Sequence, residues 1–305
     1  MNQKKNHLGS ELLLLLTAFI WGTAFVAQRS GMDYLGPLTF NAIRTLLGGI
    51  ALLPVIYFFG KAKKRTNEEE TALLPSSKKT LALGGIACGI ILFIAMYFQQ
   101  AGIVYTTAGK AGFITTLYIV LVPLFGIFLG KKVRPIIWLC VGLAVIGLYL
   151  LSIKSGFSIG KGDLLIFICS FFYAGHIFII DHFSPKVDGI KMSCIQFFIV
   201  ALLSFAFAIP TETITWKAIL DCWFPILYSG VLNCGVAFTL QIVGQKKVEP
   251  SIASLLLSLE SVFAVISGVI ILGESITIKE SFGCVIMFIA IILAQLPSKN
   301  KDGVI

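Results

Sequence analysis

Blocks of about twenty apolar residues alternate along the chain with short polar segments. A helix of twenty residues, rising about 1.5 Å per residue, crosses a hydrocarbon layer about 30 Å thick. The pattern therefore predicts an all-α polytopic membrane protein with ten transmembrane helices. The predicted spans are about 10–28, 37–59, 80–101, 110–130, 135–152, 162–181, 190–209, 219–243, 250–272 and 279–296.

Two stretches test this interpretation. The first block, "LLLLLTAFIWGTAFVAQ", is longer than the apolar core of a secretion signal and precedes similar blocks, which favours a retained first span. The longest polar segment, residues 61–79, mixes charges with helix breakers and is interpreted as a solvated loop. We therefore expect no separate soluble domain.

Composition agrees with a membrane location. The chain of 305 residues is 57% hydrophobic and only 13% charged, whereas soluble domains are about 25% charged. The net charge of +9 comes from short basic clusters between apolar blocks, so we do not expect nucleic acid as a partner. The seven cysteines and three histidines lack the spacing of metal sites, and no phosphate-binding glycine loop with a lysine is present, so no metal, cofactor or ATP is expected.

The distribution of lysine and arginine predicts the orientation. With the N-terminus inside, 17 basic residues fall on the cytoplasmic side and 6 on the other, and Arg44 lies within a span. Basic residues concentrate in cytoplasmic loops. The bias predicts a multi-pass protein of the plasma membrane with both termini in the cytoplasm.

The chain also contains an internal repeat. A shift of 142 residues places "AMYFQQAG" (95–102) on "AFTLQIVG" (237–244), and a shift of 152 places "ELLLLLTAFIWG" (11–22) on "DLLIFICSFFYA" (163–174). We interpret residues 1–152 and 153–305 as two five-helix repeats. Because five is odd, the second repeat would be inverted, an arrangement typical of transporters.

Four segments resemble the drug/metabolite transporter superfamily, in its EamA-type branch: "FIWGTAFVAQ", "FNAIRTLLGGIAL", "GFITTLYIVLVPLFGIFLG" and "SLLLSLESVFAVISGVIILGE". The resemblance covers essentially the whole chain and implies ten helices in two inverted repeats and the transport of small metabolites. The sequence departs from the family twice. Ser261 stands where a proline often follows the ninth-span glutamate, and Lys131–Lys132 stand where an acidic residue often ends the fourth span.

A carboxylate, Glu260, lies inside the ninth apolar block, ten residues or about 15 Å past Pro250. Its repeat mate, Tyr118, is predicted at similar depth, as are Trp21 and its mate Tyr173. Transporters with inverted repeats bind substrate near the membrane midplane. These four residues are candidates for substrate binding or proton coupling; the alternative is that Glu260 is a neutral packing residue and the aromatic rings only fill space.

Other polar residues within spans extend this set. Arg44, with Asn41 on the same helix face, could bind a substrate carboxylate, form an ion pair with Glu260, or cap carbonyl groups. His176 has the chemistry of a proton relay, although a lone buried histidine is more often a packing residue. Gln99 and Gln241 are repeat mates near opposite membrane faces and are candidate gates, with packing at helix ends as the alternative.

These observations predict a secondary active or facilitative transporter that moves a small, amino-acid-like organic metabolite, as an exporter, with protons as a candidate coupling ion. The first alternative is an exporter of drug-like cations, favoured if Glu260 is the only charge facing the binding cavity. The second is an integral-membrane enzyme or lipid-handling scaffold. The oligomeric state, monomer or homodimer, is left open, and the bilayer and a small-molecule substrate are the expected partners.

Overall fold

The computed structural model describes residues 2–65, 77–106, 108–152, 160–272 and 277–294, and within this part of the chain all regular structure is helical. The helices are α1 (Asn2–Gly31), α2 (Pro37–Arg65), α3 (Lys78–Ile103), α4 (Ala108–Thr115), α5 (Tyr118–Phe128), α6 (Pro135–Ser152), α7 (Lys161–Phe183), α8 (Gly189–Thr211), α9 (Trp216–Asp221), α10 (Trp223–Leu227), a π-helical segment (Tyr228–Phe238), α11 (Thr239–Gln245), α12 (Pro250–Leu257), α13 (Glu260–Leu272) and α14 (Ile278–Ala294). The predicted loop at 61–79 lies largely outside the described residues.

Eight helical segments of the described chain are long and apolar enough to cross a membrane. They begin at Leu8, Pro37, Lys78, Ala111, Lys161, Gly189, Trp223 and Pro250, and each coincides with a predicted span. The two remaining predicted spans coincide with shorter apolar helices, Pro135–Leu150 and Ser281–Ala294. The protein is therefore an all-helical, polytopic membrane protein.

The fourth and ninth apolar blocks are each broken into two helices, which the sequence pattern did not predict. Residues 116–117 separate α4 from α5, and residues 258–259 separate α12 from α13, 142 residues further along. At both breaks a hydroxyl turns back onto its own helix: Thr116 Oγ1 donates to the Phe113 carbonyl (2.8 Å) and Ser258 Oγ to the Leu255 carbonyl (2.7 Å). Such side-chain bonds compete with the backbone ladder and bend a helix.

The backbone hydrogen bonds of the two breaks also correspond. Leu117 N–H donates to the Ile114 carbonyl, and Leu259 N–H donates to the Leu256 carbonyl. At both breaks the backbone therefore forms a hydrogen bond to the third residue back instead of the fourth. The broken helices lie against each other, with Thr116 Oγ1 and Ser261 Oγ 3.2 Å apart. The two breaks therefore form one irregular layer inside the bundle.

The halves of the chain interleave rather than sit side by side. The most extensive helix contacts all join the first half to the second: α3 with α7 and α8, α2 with α8 and the π-helical segment, α6 with α14, and α1 with α13. Equivalent contacts recur with the halves exchanged, since α1 packs on α13 as α7 packs on α5. Each half thus supplies the packing surface of the other.

Glycine allows two equivalent close crossings. A Cβ on Gly102, near the end of α3, would lie 2.8 Å from the carbonyl oxygen of Gly162 at the start of α7. A Cβ on Gly244, in α11, would lie 2.9 Å from the carbonyl oxygen of Ser10 in α1. Both crossings leave no room for a side chain, which is why small residues are common where membrane helices meet.

The π-helical segment occurs in only one half of the described chain, and the contacts of two glycines explain it. Gly89 in α3 lies against the carbonyl of Gln196, and Gly230 lies against the carbonyl of Arg44. These two equivalent glycines are 141 residues apart, whereas Gly102 and Gly244 are 142 apart. The second half therefore holds one extra residue between Gly230 and Gly244, and a π-helical turn accommodates such an insertion without breaking the helix.

Candidate functional site

A small cavity of about 20 Å³ lies where the two halves meet, next to the helix breaks. By volume it holds about one water molecule. Eight helical segments supply its lining: Trp21, Phe25 and Gln28 from α1, Arg44 from α2, Gln99 from α3, Thr115 from α4, Tyr118 from α5, Tyr173 from α7, Asn233 and Phe238 from the π-helical segment, and Glu260 from α13. Both halves of the chain therefore contribute to one central site.

Glu260 is the first residue of α13 and is only 3% exposed. The hydroxyl of Tyr118, its predicted repeat mate, donates to Glu260 Oε1 at 3.2 Å. The helix break places the carboxyl group in the first turn of α13, where the unpaired N–H groups of a helix favour negative charge. The backbone of Gly22 in α1 lies directly against this turn, since a Cβ there would lie 2.5 Å from the Glu260 carbonyl oxygen. Close packing therefore fixes the position of the carboxyl group.

A second hydrogen-bonded chain crosses the cavity wall. The Tyr173 hydroxyl donates to Gln99 Oε1 at 2.9 Å, and Gln99 Nε2 donates to Thr115 Oγ1 at 3.2 Å. The three residues belong to α7, α3 and α4, so this chain ties helices of the two halves together. These hydrogen bonds fix the position of the Tyr173 ring at the cavity wall.

Arg44 brings a positive charge to the same cavity and is 1% exposed. Its Nε donates to Asn41 Oδ1 at 3.0 Å, Asn41 Nδ2 donates to the Met96 carbonyl at 3.1 Å, and the guanidinium lies 5.3 Å from the centre of the Phe40 ring. Within the described residues Arg44 forms no ion pair, with Glu260 or any other carboxylate. Asn41 therefore orients the guanidinium, while its charge stays uncompensated.

Four groups around the cavity carry buried polar atoms without a partner in the described structure. Trp21 Nε1 and Arg44 Nη1 are donors, and Gln28 Oε1 and Asn233 Oδ1 are acceptors. Buried polar groups in native proteins are nearly always hydrogen-bonded, and the exceptions call for an explanation such as a bound molecule. Grouped at one cavity, these atoms can pair with a molecule that has both donors and acceptors, whether water or a ligand.

The structure brings together most of the residues that the sequence predicted. Trp21, Tyr118, Tyr173 and Glu260 all line the cavity, and Arg44 joins them. Asn41 lies behind Arg44 instead of lining the cavity.

The three other candidates, His176, Gln99 and Gln241, lie in different surroundings. His176 is fully buried, pairs through Nε2 with Gln196 Oε1 at 3.1 Å and packs edge-on against Phe238, outside the cavity lining. Gln99 lines the central cavity rather than a gate near the membrane face. Its mate Gln241 is buried outside the lining.

Five lining residues were not singled out from the sequence: Phe25, Gln28, Thr115, Asn233 and Phe238. A signal existed for two of them. Phe25 lies four residues after Trp21, and Gln28 lies three residues after Phe25, so all three are on one face of a helix. Asn233 and Phe238 lie in the π-helical segment, where ordinary helical spacing does not apply.

The lining of the cavity is mainly aromatic, with few charged groups. Five aromatic rings surround one carboxyl and one guanidinium group. Among the described residues no cluster of three or more histidine, cysteine or acidic side chains could hold a metal ion. Aromatic walls with a few well-placed polar groups are typical of small-molecule sites.

Comparison with known proteins identifies the family. The EamA-like transporter family model matches residues 8–153 and, separately, residues 160–296. An uncharacterized transporter of Archaeoglobus fulgidus is 32% identical over 293 residues, which cover 94% of this chain and 86% of the relative. An uncharacterized transporter of Clostridium kluyveri is 25% identical over 306 residues, covering 95% and 94% of the two chains.

Further similarities agree. The uncharacterized transporter YoaV of Bacillus subtilis is 24% identical over 287 residues, covering 90% of this chain and 92% of the relative. A solved crystal structure shares the fold with a TM-score of 0.76 at 18% identity, over 94% of this chain and 96% of that chain. With two family matches that together span nearly all of its length, the chain belongs to the EamA-like transporter family.

Proposed function

We propose that the protein is a secondary transporter that carries an amino-acid-like zwitterion across the plasma membrane, with the central cavity as its substrate site. The observation that carries this proposal is that a carboxyl group and an uncompensated guanidinium face one aromatic cavity. Glu260, with the acceptors of Gln28 and Asn233, suits an ammonium group. Arg44, with the Trp21 indole N–H, suits a carboxylate. The aromatic rings suit the apolar part of the metabolite.

The architecture supports alternating access. We infer that the two halves are inverted five-helix repeats, because their helix contacts, glycine crossings and helix breaks correspond when the halves are exchanged. In transporters built this way, the site lies at the repeat interface beside broken helices, and the repeats rearrange around it. The cavity holds about one water as it stands, so substrate entry requires the helices around it to separate.

The distribution of basic residues supports the orientation. The connections that hold Lys131, Lys132, Lys246 and Lys247 would face the cytoplasm, and both termini would lie on that side. Export of the metabolite is the proposed direction, and protons are the proposed coupling ion because Glu260 offers one buried protonatable carboxyl group.

The rival substrate class is drug-like cations. The aromatic walls and Glu260 alone would suit a cation, but the guanidinium of Arg44 in the same cavity opposes one. The two classes therefore differ in the role of Arg44.

A transport screen separates these substrate classes. The purified protein is reconstituted in liposomes, and uptake of labelled amino acids, nucleosides and cationic dyes is measured with and without a pH gradient. We expect amino-acid transport that Arg44→Gln reduces at least tenfold. Arg29→Gln is the matched control, because Arg29 is partly exposed, is paired with Asp33 at 3.0 Å and does not line the cavity.

The screen can also contradict the proposal. Transport of cationic dyes that survives in Arg44→Gln, without transport of any amino acid, would favour the drug-exporter alternative. Loss of transport in both arginine variants would indicate a general folding defect, which the recovery of protein in size-exclusion chromatography detects.

A further inference from the structure

A second, much larger cavity of about 870 Å³ lies at one end of the bundle and is strongly basic. The connection between α5 and α6 meets the connection between α11 and α12 there. Five basic residues line the cavity, Lys131, Lys132, Arg134, Lys246 and Lys247, against two acidic ones, Asp181 and Glu249. We call it the basic cavity.

The charge balance inside the basic cavity is positive. Lys131 pairs with Asp181, which neutralises one cation and one of the two carboxylates. Setting Arg134 aside, the three remaining lysines, Lys132, Lys246 and Lys247, outnumber the one remaining carboxylate, Glu249. Two helices also begin at the cavity, α6 at Pro135 and α12 at Pro250. The N-terminus of a helix carries a partial positive charge, so both helix ends add to the positive field.

The basic cavity lies in line with the central cavity. Three helices that pack on one another, α5, α7 and α12, run from one cavity towards the other. Along α5, Tyr118 lines the central cavity and Gly126 the basic cavity, eight residues or about 12 Å further on. Along α7, Tyr173 and Phe178 line the two cavities five residues apart, about 8 Å.

A thin apolar layer separates the two cavities. Between their lining positions, α5 contributes Val122, α7 contributes Ile177 and α12 contributes Leu257, which are all at most 2% exposed and belong to one hydrophobic cluster. Apolar side chains packed in this way can separate when the helices that carry them move. Along these three helices, the basic cavity and the central cavity therefore lie on opposite sides of these buried apolar residues.

We propose that the basic cavity is the aqueous vestibule of the transport path at this end of the bundle, and that its positive field selects amino-acid-like substrates with a further carboxylate or phosphate group, which gives the zwitterion a net negative charge. This inference rests on the proposed function and adds the charge class of the substrate. A cleft lined by one sign of charge between low-dielectric walls concentrates oppositely charged solutes, by about tenfold or more.

Membrane topology alone does not account for the basic cavity. The tendency of basic residues to lie in cytoplasmic loops is satisfied anywhere on those loops, yet here connections from both halves converge on one cavity. Lys131, Lys132 and Arg134 come from the first half of the chain, and Lys246 and Lys247 come from the second. Topology explains the side of the membrane on which these residues lie, but not their convergence on one cavity.

The electrostatic part of the proposal is tested with thiol reagents of opposite charge. In a background with the native cysteines replaced, Val133→Cys places a thiol in the basic cavity, and Ser77→Cys places one at an exposed position beside two other lysines. Reaction rates are measured in lipid nanodiscs with anionic, cationic and neutral methanethiosulfonates. We expect the anionic-to-cationic rate ratio, normalised to the neutral reagent, to be about tenfold higher at Val133→Cys.

Charge-removing variants supply the control. Lys132→Gln combined with Lys247→Gln should lower the ratio several-fold at Val133→Cys, whereas Lys78→Gln combined with Lys191→Gln, outside the cavity lining, should not. Raising the salt concentration to about 0.5 M should reduce the ratio, because salt screens exposed charges. Equal ratios at the two thiols would overturn the proposal.

Two further outcomes are decisive. If the anionic reagent reacts slowly in nanodiscs with phosphatidylglycerol and fast in those with phosphatidylcholine alone, a lipid headgroup fills the cavity and the proposal is wrong.

For a substrate found in the screen, the Lys132/Lys247 variant should raise KM for anionic compounds and leave KM for cationic compounds unchanged. An equal change of KM for both classes would also contradict the proposal. The thiol rates require no transported substrate, so they stand even if the screen finds no amino acid.

Discussion

Glu260 combines three features that a packing residue does not need. It is buried, it begins a helix at a break inside the membrane, and one tyrosine hydroxyl is its only hydrogen-bond partner among the described residues. Burying an ionised carboxylate costs several kcal/mol unless it is paired and hydrogen-bonded, so the group must hold a proton or a cationic ligand. Its place in the cavity makes either state relevant to transport.

Replacement of the carboxyl group by an amide tests this role. Glu260→Gln keeps the size and can still accept from Tyr118, so we expect normal folding and insertion but at least tenfold slower transport, or transport that no longer depends on pH. Asp33→Asn removes a carboxylate from the exposed end of α1 and serves as the control. Initial uptake rates from pH 5.5 to 8.5 give the answer; a Gln variant that matches the parent throughout would make Glu260 a packing residue.

At the scale of residues, depth arithmetic predicted much of the site. Counting residues from the span ends placed Trp21, Tyr118, Tyr173 and Glu260 at one level, and they line one cavity. The same arithmetic cannot give the direction in which a side chain points. His176 is at a plausible depth but faces Gln196 on α8, which no count along the chain could show.

At the scale of elements, the π-helical segment is the clearest departure from regularity. It absorbs one residue more than the equivalent part of α3, and it brings Asn233 to the cavity. An insertion inside a regular helix would rotate all later residues by about 100°. The wider turn avoids this, so α11 keeps the packing that α3 has in the other half.

Deletion of one residue from the π-helical segment should therefore be tolerated. Without Leu232, which is exposed, the segment can become an ordinary α-helix while its two ends keep their contacts. We expect a folded protein with weakened transport, because Asn233 loses its position. Deletion of Phe171, an exposed residue of the regular helix α7, is the control and should abolish folding. Size-exclusion profiles in detergent compare the two, and equal loss of folded protein would refute the interpretation.

The helix breaks show why the elements could be predicted only in part. The apolar blocks at 110–130 and 250–272 are continuous in hydropathy, so each was predicted as one helix. What ends α4 and α12 are hydroxyls of Thr116 and Ser258 that bond back to carbonyls. Threonine and serine occur in many unbroken membrane helices, so the sequence alone does not show that these two residues end a helix. The folded chain shows it, because both breaks contain such a residue.

At the scale of the molecule, the two halves share one packing scheme. If they are equivalent repeats, equivalent substitutions must have equivalent effects. Gly102→Ala and Gly244→Ala should each destabilise the protein by about 1–3 kcal/mol, because each added methyl group would overlap a backbone carbonyl. Gly142→Ala, where the added methyl meets nothing, should be neutral or stabilising. Thermal unfolding in detergent measures all three, and a large difference between Gly102→Ala and Gly244→Ala would contradict the equivalence.

The orientation of the molecule can be tested at its two ends. Ser77 lies in an exposed position before α3, and Lys217 in an exposed position of α9. In intact cells expressing cysteine-free variants, Lys217→Cys should react with a membrane-impermeant thiol reagent, and Ser77→Cys should react only after the cells are opened. The reverse pattern would invert the proposed topology.

Interleaving also has a consequence for how the chain is made. The main partners of α1 and α2 are α8, α11, α13 and the π-helical segment, which are synthesised roughly 150 to 240 residues later. At about 5–20 residues per second, these first helices wait for roughly ten seconds to a minute before their partners leave the ribosome. During that interval Arg44 is in the membrane without the surroundings that bury it in the finished protein. We therefore expect biosynthesis of this protein to depend on an insertion machinery that protects the charged first half until the second half has been synthesised.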